Sequence, residues 1–337
     1  FLTQHGHPVP RNIHPNLGGW ESDILAEMHL SNAATASLIA DLGIRVSHVN
    51  TTRELFAHIL EEARRNGLAA AGEVNVVVLA EGQADPQGRA SFLRHLRQNY
   101  RAVLDREGGG LRGDVFVCSS EELAPQHSRL FHGSSRIHAL VELEKNTDQR
   151  VFRCFKAGGL NLYNGPVWQM LSDKRNIALL SDEDLDTDFT ADERSFLQRH
   201  VPWTRLVRAE STRFRGERVF LPDLLASRRE DLVVKNSLLY GGKEVYVGLY
   251  TSPAKWEEVV RNALASKHWV TQEYIPSNPY LYQNGDHGCS LHNVIWGPFV
   301  FGERYGGAIL RMQPMADATV VNLSLTATEG LIFEVDD

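Results

Sequence analysis

Residues 232–248, LVVKNSLLYGGKEVYVG, constrain the fold most, because an apolar strand that carries Lys235 is followed by a glycine-containing loop and a second strand. A strand would hold Lys235 at a fixed depth, where its ammonium can meet phosphate oxygens. Gly241 and Gly242 lack Cβ atoms, so a backbone can close over a nucleotide at this loop. The segment therefore predicts a phosphate clamp. Hairpins with Gly-Gly are common and many strand lysines are merely solvated, so an ordinary hairpin remains an alternative.

A second apolar strand follows about two dozen residues later, after a helical stretch. It reads HWVTQEYIPS and ends in Gln272, Glu273, Tyr274 and Ile275. The end of such a strand can offer backbone N–H and C=O groups to the edge of an adenine ring. A carboxylate beyond it can accept hydrogen bonds from ribose hydroxyls. The two segments together predict a nucleotide site.

Composition excludes several classes of protein. The chain has 337 residues with 42% apolar and 23% charged content, which suits two or three packed subdomains. It has no apolar run of eighteen residues, and its first residues, FLTQHGHPVP, lack the pattern of a signal peptide, so we expect a cytoplasmic protein without a membrane partner. Cys118, Cys154 and Cys289 are widely spaced, which predicts ordinary thiols. A net charge of −7 argues against a nucleic-acid partner.

The N-terminal part alternates between helical and strand patterns. Residues 22–42, 52–66 and 88–106 have helical composition or periodicity, and residues 74–80, 114–118 and 137–143 are strand-like. Such alternation predicts a small parallel sheet with helices on its faces.

The order of motifs in the C-terminal half carries a resemblance to a known family. A strand lysine, a glycine loop, a helix, the QEYI strand and a terminal YGGAILR strand resemble the nucleotide-binding half of ATP-grasp ligases. Residues 304–335 are similar to the end of glutathionylspermidine synthase and its circularly permuted relatives. The resemblance implies an α/β fold in which ATP lies between two mainly antiparallel sheets. It also implies that residues 1–50 complete the metal and ATP site, 51–150 form a small βα-type subdomain, and 151–337 bind the nucleotide.

The resemblance also implies a chemistry and the residues that perform it. ATP-grasp ligases transfer the γ-phosphoryl group of ATP to a carboxylate, and an amine then attacks the acylphosphate, with Mg²⁺ and cationic side chains neutralising charge. Lys174, in an SDK sequence, resembles the family's first lysine, and Arg311 matches the arginine of its YGGxxLR motif. An ordinary helix start and a solvated strand-edge arginine are the alternatives. The chain has no GxSxG, HExxH or GxxxxGK[ST] motif.

The metal ligands are where the sequence departs from the family pattern. The segment PRNIHPNLGG, residues 10–19, places Asn12 where the family has Glu and His14 where it has Asn. Mg²⁺ prefers oxygen ligands, so the loss of a carboxylate should weaken its binding. A competing alignment places Glu27 and His29 at these positions and keeps the carboxylate.

The resemblance therefore implies an ATP-dependent ligase that joins a small-molecule carboxylate to an amine, with an amino acid or a peptide among the candidate substrates. Two alternatives remain open at this point. One is a nucleotide-binding homologue with lost or weakened catalysis, which Asn12 motivates. The other is an unrelated α/β binding module whose glycine hairpins only imitate the motifs.

Overall fold

A computed structural model describes residues 20–80, 86–107, 109–143, 148–166, 168–183, 189–283, 288–315 and 327–336. The described residues fall into two compact units. The parallel-sheet unit takes its residues from 20–168, 296–310 and 330–336, and the antiparallel-sheet unit takes its residues from 169–295 and 311–329. Each unit is built around its own sheets, so we describe them separately.

Helices and strands alternate along the first half of the chain. In order they are α1 (Trp20–Ser31), α2 (Ala33–Leu42), β1 (Arg45–Ser47), α3 (Thr51–Arg65), β2 (Val76–Leu79), α4 (Pro86–Glu107), β3 (Val115–Cys118), β4 (Leu123–Gln126), β5 (Arg129–His132), β6 (Ser135–Ile137), β7 (Ala139–Glu142), α5 (Gln149–Lys156) and β8 (Asn161–Tyr163). The predicted helices at 52–66 and 88–106 and the predicted strands at 74–80, 114–118 and 137–143 are thereby confirmed to within a few residues.

Strands are more frequent in the second half of the chain. The elements are α6 (Trp168–Ser172), α7 (Arg175–Ser181), α8 (Ala191–His200), β9 (Thr204–Leu206), β10 (Ser211–Phe214), β11 (Glu217–Phe220), α9 (Leu221–Ser227), β12 (Leu232–Asn236), β13 (Val245–Val247), α10 (Pro253–Leu264), β14 (Trp269–Glu273), β15 (Pro279–Gln283), β16 (Cys289–Phe301), β17 (Arg304–Pro314), β18 (Thr328–Gly330) and β19 (Glu334–Asp336). The whole is a mixed α/β structure with several antiparallel sheets.

Strand β2 is the centre of the parallel-sheet unit. Strands β3, β7 and β8 extend a parallel sheet in the order β3-β2-β7-β8, as the βα alternation predicts. All four residues of β2, VVVL, are buried, which is typical of a parallel strand covered on both faces. Val76 and Val78 pack into one apolar cluster with residues of α3 and α4. Val77 and Leu79 point to the opposite face, into a second cluster that includes residues of α5 and the β4-β5-β6 meander.

The helical stretch at 22–42 differs from the sequence-based expectation, because it forms two helices in place of one. The side chain of Asn32 accepts hydrogen bonds from the backbone N–H groups of Ala34 (2.9 Å) and Thr35 (3.4 Å). An Asn that bonds to the backbone in this way starts a helix and competes with continuation of the preceding one. Helix α1 therefore ends at Ser31 and α2 begins at Ala33.

The principal sheet of the antiparallel-sheet unit has the order β13-β12-β14-β9, and its paired strands run antiparallel. Directly paired residues point to the same face. One face is apolar: Leu232, Val234 and Trp269 pack into a cluster with residues of α9 and α10. The other face carries the side chains of alternate positions, which include Lys235 and Gln272. Helix α7 packs against β9 and β14.

The last sheet has the order β15-β16-β17-β18. Strands β16 and β17 are long and contribute residues to both units. Strand β19 pairs antiparallel with β1. Within the described ranges, no helix is long and apolar enough to cross a membrane.

His138 gives the parallel-sheet unit a stability that depends on pH. It is 1% exposed, and its Nδ1 accepts a hydrogen bond from the backbone N–H of Asn75 (3.0 Å), which requires a neutral ring. Burial, with a smaller contribution from Arg136, lowers the pKa of His138 to about 4. The unfolded chain binds a proton near pH 6.5 and the folded chain does not. Stability is therefore present above pH 6.5 and is lost as the pH falls toward 4.

We expect the titration of His138 to lower the free energy of unfolding by roughly 3 kcal/mol as the pH falls from 6.5 to 4. The His138→Asn variant keeps an acceptor near the position of Nδ1 and removes the titration, so its stability should depend less on pH. Urea unfolding at several pH values measures the two slopes. His268→Gln, at an exposed position, is the control and should keep the wild-type slope. Equal slopes for the wild type and His138→Asn would contradict the assignment.

Candidate functional site

Two lysines from separate elements approach the same face of the β12-β14 pair. Lys235 lies on β12, is partly buried, and donates from Nζ to Oε1 of Gln272 on β14 (2.6 Å). Lys174 directly precedes α7 and is buried; its Nζ donates to the backbone carbonyl of Leu239 (2.5 Å). The backbone N–H of Lys174 also donates to the carbonyl of Ser237 (3.2 Å). Both ammonium groups are thus held by neutral acceptors.

Neither lysine forms an ion pair with a carboxylate among the residues that the structure describes. Asp173 is the neighbour of Lys174 in sequence, but its carboxylate accepts from the guanidinium Nε (2.8 Å) and Nη2 (2.5 Å) of Arg175. Burial, with a smaller contribution from the charge of Lys174, lowers the pKa of Lys235 to about 8. Burial also lowers the pKa of Lys174, while Asp173 raises it. An anion between the two ammonium groups would relieve both effects.

The predicted glycine loop connects β12 and β13. Gly241 and Gly242 have φ values of 66° and 74°, in the left-handed region that favours glycine. The loop is tied to Lys174, because Leu239, whose carbonyl accepts from this lysine, belongs to it. The structure therefore brings the loop and both predicted lysines together in one unit.

The end of β14 places Gln272 and Glu273 on opposite faces of the sheet. Glu273 pairs with Leu232, whose side chain lies in the apolar cluster, so the Glu273 side chain points away from Lys235. Its Oε1 accepts from Nε (2.9 Å) and Nη2 (2.6 Å) of Arg215. Arg215 lies in the tight β10-β11 turn with a φ of 50°. The carboxylate predicted for ribose hydroxyls is thus held by an arginine, on the face opposite the lysines.

Tyr274 and Ile275 continue beyond the strand. The N–H of Tyr274 donates to the carbonyl of Asp231 (2.7 Å), and its hydroxyl lies 3.2 Å from that of Tyr250. Ile275 is partly buried and has no hydrogen-bonding partner in the described part of the chain. A backbone N–H without a partner next to a strand end can donate to a ligand. This geometry suits the predicted adenine edge.

Arg311 is a third cation of the same unit. It lies on β17, is partly buried, and makes no hydrogen bond or ion pair with any described residue. Burial lowers the pKa of its guanidinium, and the charge of Glu329 acts in the opposite direction.

The predicted metal ligands Asn12 and His14 lie outside the described residues. The alternative ligand Glu27, in the parallel-sheet unit, is bonded to protein groups: its Oε1 accepts from Asn50 Nδ2 (3.1 Å) and Arg53 Nη2 (3.3 Å). His29 is exposed. Within the described ranges, no group of three or more His, Cys, Asp or Glu side chains could hold a metal ion.

Sequence reasoning missed Thr204. Its side chain lies on β9, is 1% exposed, and accepts a hydrogen bond from Gln272 Nε2 (2.9 Å). The two residues are 68 positions apart and meet only because β9 pairs with β14. The segment VPWTRLVRAE carries no local signal of this pairing.

Comparison with known proteins gives weak structural similarities and no match by sequence. No family model and no curated protein matches the chain. A solved structure, a RimK-domain ATP-grasp protein from Sphaerobacter thermophilus, is 14% identical over 77% of this chain and 90% of that chain, with a TM-score of 0.28. At this TM-score, the similarity carries no argument about the fold.

The lysine pair makes a prediction that needs no knowledge of the natural ligand. Inorganic tripolyphosphate should bind, and its affinity should fall as the pH rises through about 8, because Lys235 then loses its charge. Lys235→Ala should lower the affinity at pH 7 by roughly tenfold or more and flatten this pH dependence. Calorimetric titration measures both effects. Lys255→Ala removes an exposed lysine paired with Glu258 and should leave binding unchanged. A wild-type affinity that is constant from pH 7 to 9 would exclude Lys235 from the site.

Proposed function

We propose that this chain is an ATP-dependent carboxylate–amine ligase of the ATP-grasp type. The observation that carries the proposal is the pair Lys174 and Lys235, held on one face of an antiparallel sheet by neutral acceptors. Desolvating two ammonium groups side by side is costly without an anion. ATP is a polyanion that would offset this cost, and the glycine loop that contacts Lys174 would allow its phosphates to approach the backbone.

Each residue of the site has a role in this proposal. Lys174 and Lys235 hold the phosphates, and Gly241 and Gly242 permit close backbone approach. Ile275 donates its backbone N–H, which has no partner among the described residues, to the edge of the adenine ring. Tyr274 directly follows β14 and lies beside the proposed position of the adenine base. Gln272 and Glu273 support the end of this strand through their protein partners.

The reaction needs cations more than it needs a protein nucleophile. The substrate carboxylate attacks the γ-phosphorus of ATP, the bond to the β-phosphate oxygen breaks, and ADP leaves; the amine then displaces phosphate from the acylphosphate to form an amide. The lysines neutralise charge on the phosphates. We assign to Arg311 the role of stabilising the negative charge that develops on the transferred phosphoryl group. Mg²⁺ would neutralise further charge on the phosphate oxygens. Asn12 and His14 stay its proposed ligands, because residues 10–19 resemble the metal segment of the family.

A second candidate is a nucleotide-binding homologue with lost or weakened catalysis. It is favoured by the state of Glu27, the carboxylate of the alternative metal alignment, which is already bonded to Arg53 and Asn50. With Asn12 in place of a carboxylate, a bound Mg²⁺ would be held by fewer charges. Such a protein would bind ATP and turn it over slowly.

Product analysis tests the ligase proposal. Incubation with ATP, Mg²⁺ and mixtures of small carboxylates and amines should release ADP, at a rate that depends on both substrates. Lys235→Ala should weaken ATP binding by 1–3 kcal/mol, about the range for a charge-assisted contact. The matched control is Lys255→Ala. AMP and pyrophosphate as products would indicate adenylation and rule out the proposed chemistry, and unchanged ATP affinity in both Lys174→Ala and Lys235→Ala would rule out the site.

Restoring a carboxylate tests the metal assignment. If residues 10–19 supply the metal ligands, Asn12→Glu should tighten Mg²⁺-dependent ATP binding or raise the rate of ATP hydrolysis, because a carboxylate compensates the charge of Mg²⁺ better than an amide. Gln4→Glu adds the same charge elsewhere in the N-terminal segment and should change neither quantity. An Asn12→Glu variant with unchanged Mg²⁺ dependence would exclude Asn12 as a ligand.

A further inference from the structure

A chain of buried hydrogen bonds leads from Lys235 into the sheet. Lys235 Nζ donates to Gln272 Oε1 (2.6 Å), and Gln272 Nε2 donates to Thr204 Oγ1 (2.9 Å). Thr204 Oγ1 in turn donates to the carbonyl of Pro202 (2.9 Å). Gln272 is 2% exposed and Thr204 is 1% exposed, so water competes little with these bonds.

The direction of this chain is fixed by the hydroxyl of Thr204. A hydroxyl has a single proton, and here that proton is committed to the carbonyl of Pro202. Thr204 can therefore only accept from the amide of Gln272, which must turn its NH₂ group toward Thr204. The amide oxygen then faces Lys235, which can only donate.

We infer that Thr204 and Gln272 are positioning residues that hold the ammonium of Lys235 at the phosphate site while leaving its positive charge uncompensated. The inference rests on the proposed function, since ATP is the anion that would use this charge. It assigns to Gln272 no contact with the base, because both ends of its amide already have protein partners. A neutral acceptor is essential to this role, since a carboxylate at position 272 would neutralise the lysine that binds the phosphates.

The nearby charged groups do not pair with Lys235, so the amide of Gln272 is its direct hydrogen-bond partner among the described residues. Lys174, from the start of α7, is the charged group that acts on Lys235, and it acts unfavourably. Asp173, on the same segment, is bonded to Arg175. On β9, Arg205 pairs with Thr271 and so points to the opposite face, where its Nε donates to Thr212 (2.9 Å).

The first experiment measures the titration of Lys235 in the protein without nucleotide. Trace acetylation with acetic anhydride at a series of pH values, followed by peptide mass spectrometry, reports the midpoint at which the amine becomes reactive. In Thr204→Val, the amide is free to turn, so the ammonium loses its oriented acceptor and the midpoint should fall by about one pH unit. Thr204→Ser keeps the hydroxyl and should restore the wild-type midpoint. Lys255 serves as an internal reference in every sample.

Gln272→Glu provides a second measurement in which two readouts move in opposite directions. Its carboxylate should raise the acetylation midpoint of Lys235, because an opposite charge favours the ammonium. The same carboxylate should weaken ATP binding at pH 7 by tenfold or more in calorimetric titration, because it cancels the charge offered to the phosphates. Loss of packing alone would not raise the midpoint while lowering the affinity.

Circular dichroism shows whether Thr204→Val is folded. If it is not, Gln272→Leu, which removes the amide acceptor of Lys235, is used in its place. An unchanged midpoint in the folded variant would overturn the inference, as would a Gln272→Glu variant that binds ATP as tightly as the wild type does. The acetylation experiment does not use ATP. A wild-type protein that fails to bind ATP would therefore refute the proposed function, while the midpoints still decide the role of Thr204.

Discussion

The candidate anion site of the antiparallel-sheet unit depends on two ammonium groups, Lys174 and Lys235, whose charges lie close enough to interact. Desolvation disfavours a charged lysine, and a second positive charge nearby adds to that cost. The sheet tolerates both because each ammonium has a fixed neutral acceptor: Leu239 for Lys174 and Gln272 for Lys235. The opposite face offsets the cost, since Leu232, Val234 and their partners on α9 and α10 form an apolar cluster. One face thus stabilises the sheet, and the other holds ammonium groups that pair with no carboxylate in the described ranges.

This division has a thermodynamic consequence for ligand binding. A group whose charged form is disfavoured in the free protein gains more from an anion than an ordinary surface lysine does, because the anion removes an existing penalty. Any ligand that binds only the folded state also stabilises that state. A polyanion at Lys174 and Lys235 would therefore both satisfy the site and stabilise the sheet that builds it. A protein carboxylate paired with these lysines would remove the cost of keeping them charged. It would also remove the free energy that an anionic ligand gains by binding them.

Local signals were sufficient to predict some of these features, and others depended on contacts far apart in sequence. The buried strand VVVL, the helices at 52–66 and 88–106 and the glycine loop could be read from short-range patterns, because their side-chain periodicity and turn residues are local. The division of the 22–42 stretch at Asn32 was missed, because the Ala and Leu content there outweighs one polar residue in any propensity argument. Thr204 could not be found at all, since its role exists only through the non-local pairing of β9 with β14.

The contrast between Gln272 and Glu273 shows why the order of residues along a strand matters more than their proximity. They are adjacent in sequence, yet strand geometry sends them to opposite faces. Gln272 serves the lysine face, where a neutral acceptor leaves the charge of Lys235 available. Glu273 serves the other face, where its negative charge pairs with Arg215 and fastens the β10-β11 hairpin to the end of β14. Exchanging the two residue types would place the carboxylate beside Lys235 and leave Arg215 with Asp231 (3.4 Å) as its carboxylate partner in place of the closer Glu273 (2.6 Å). The sequence QE, and not EQ, is therefore what permits an anion site on this sheet.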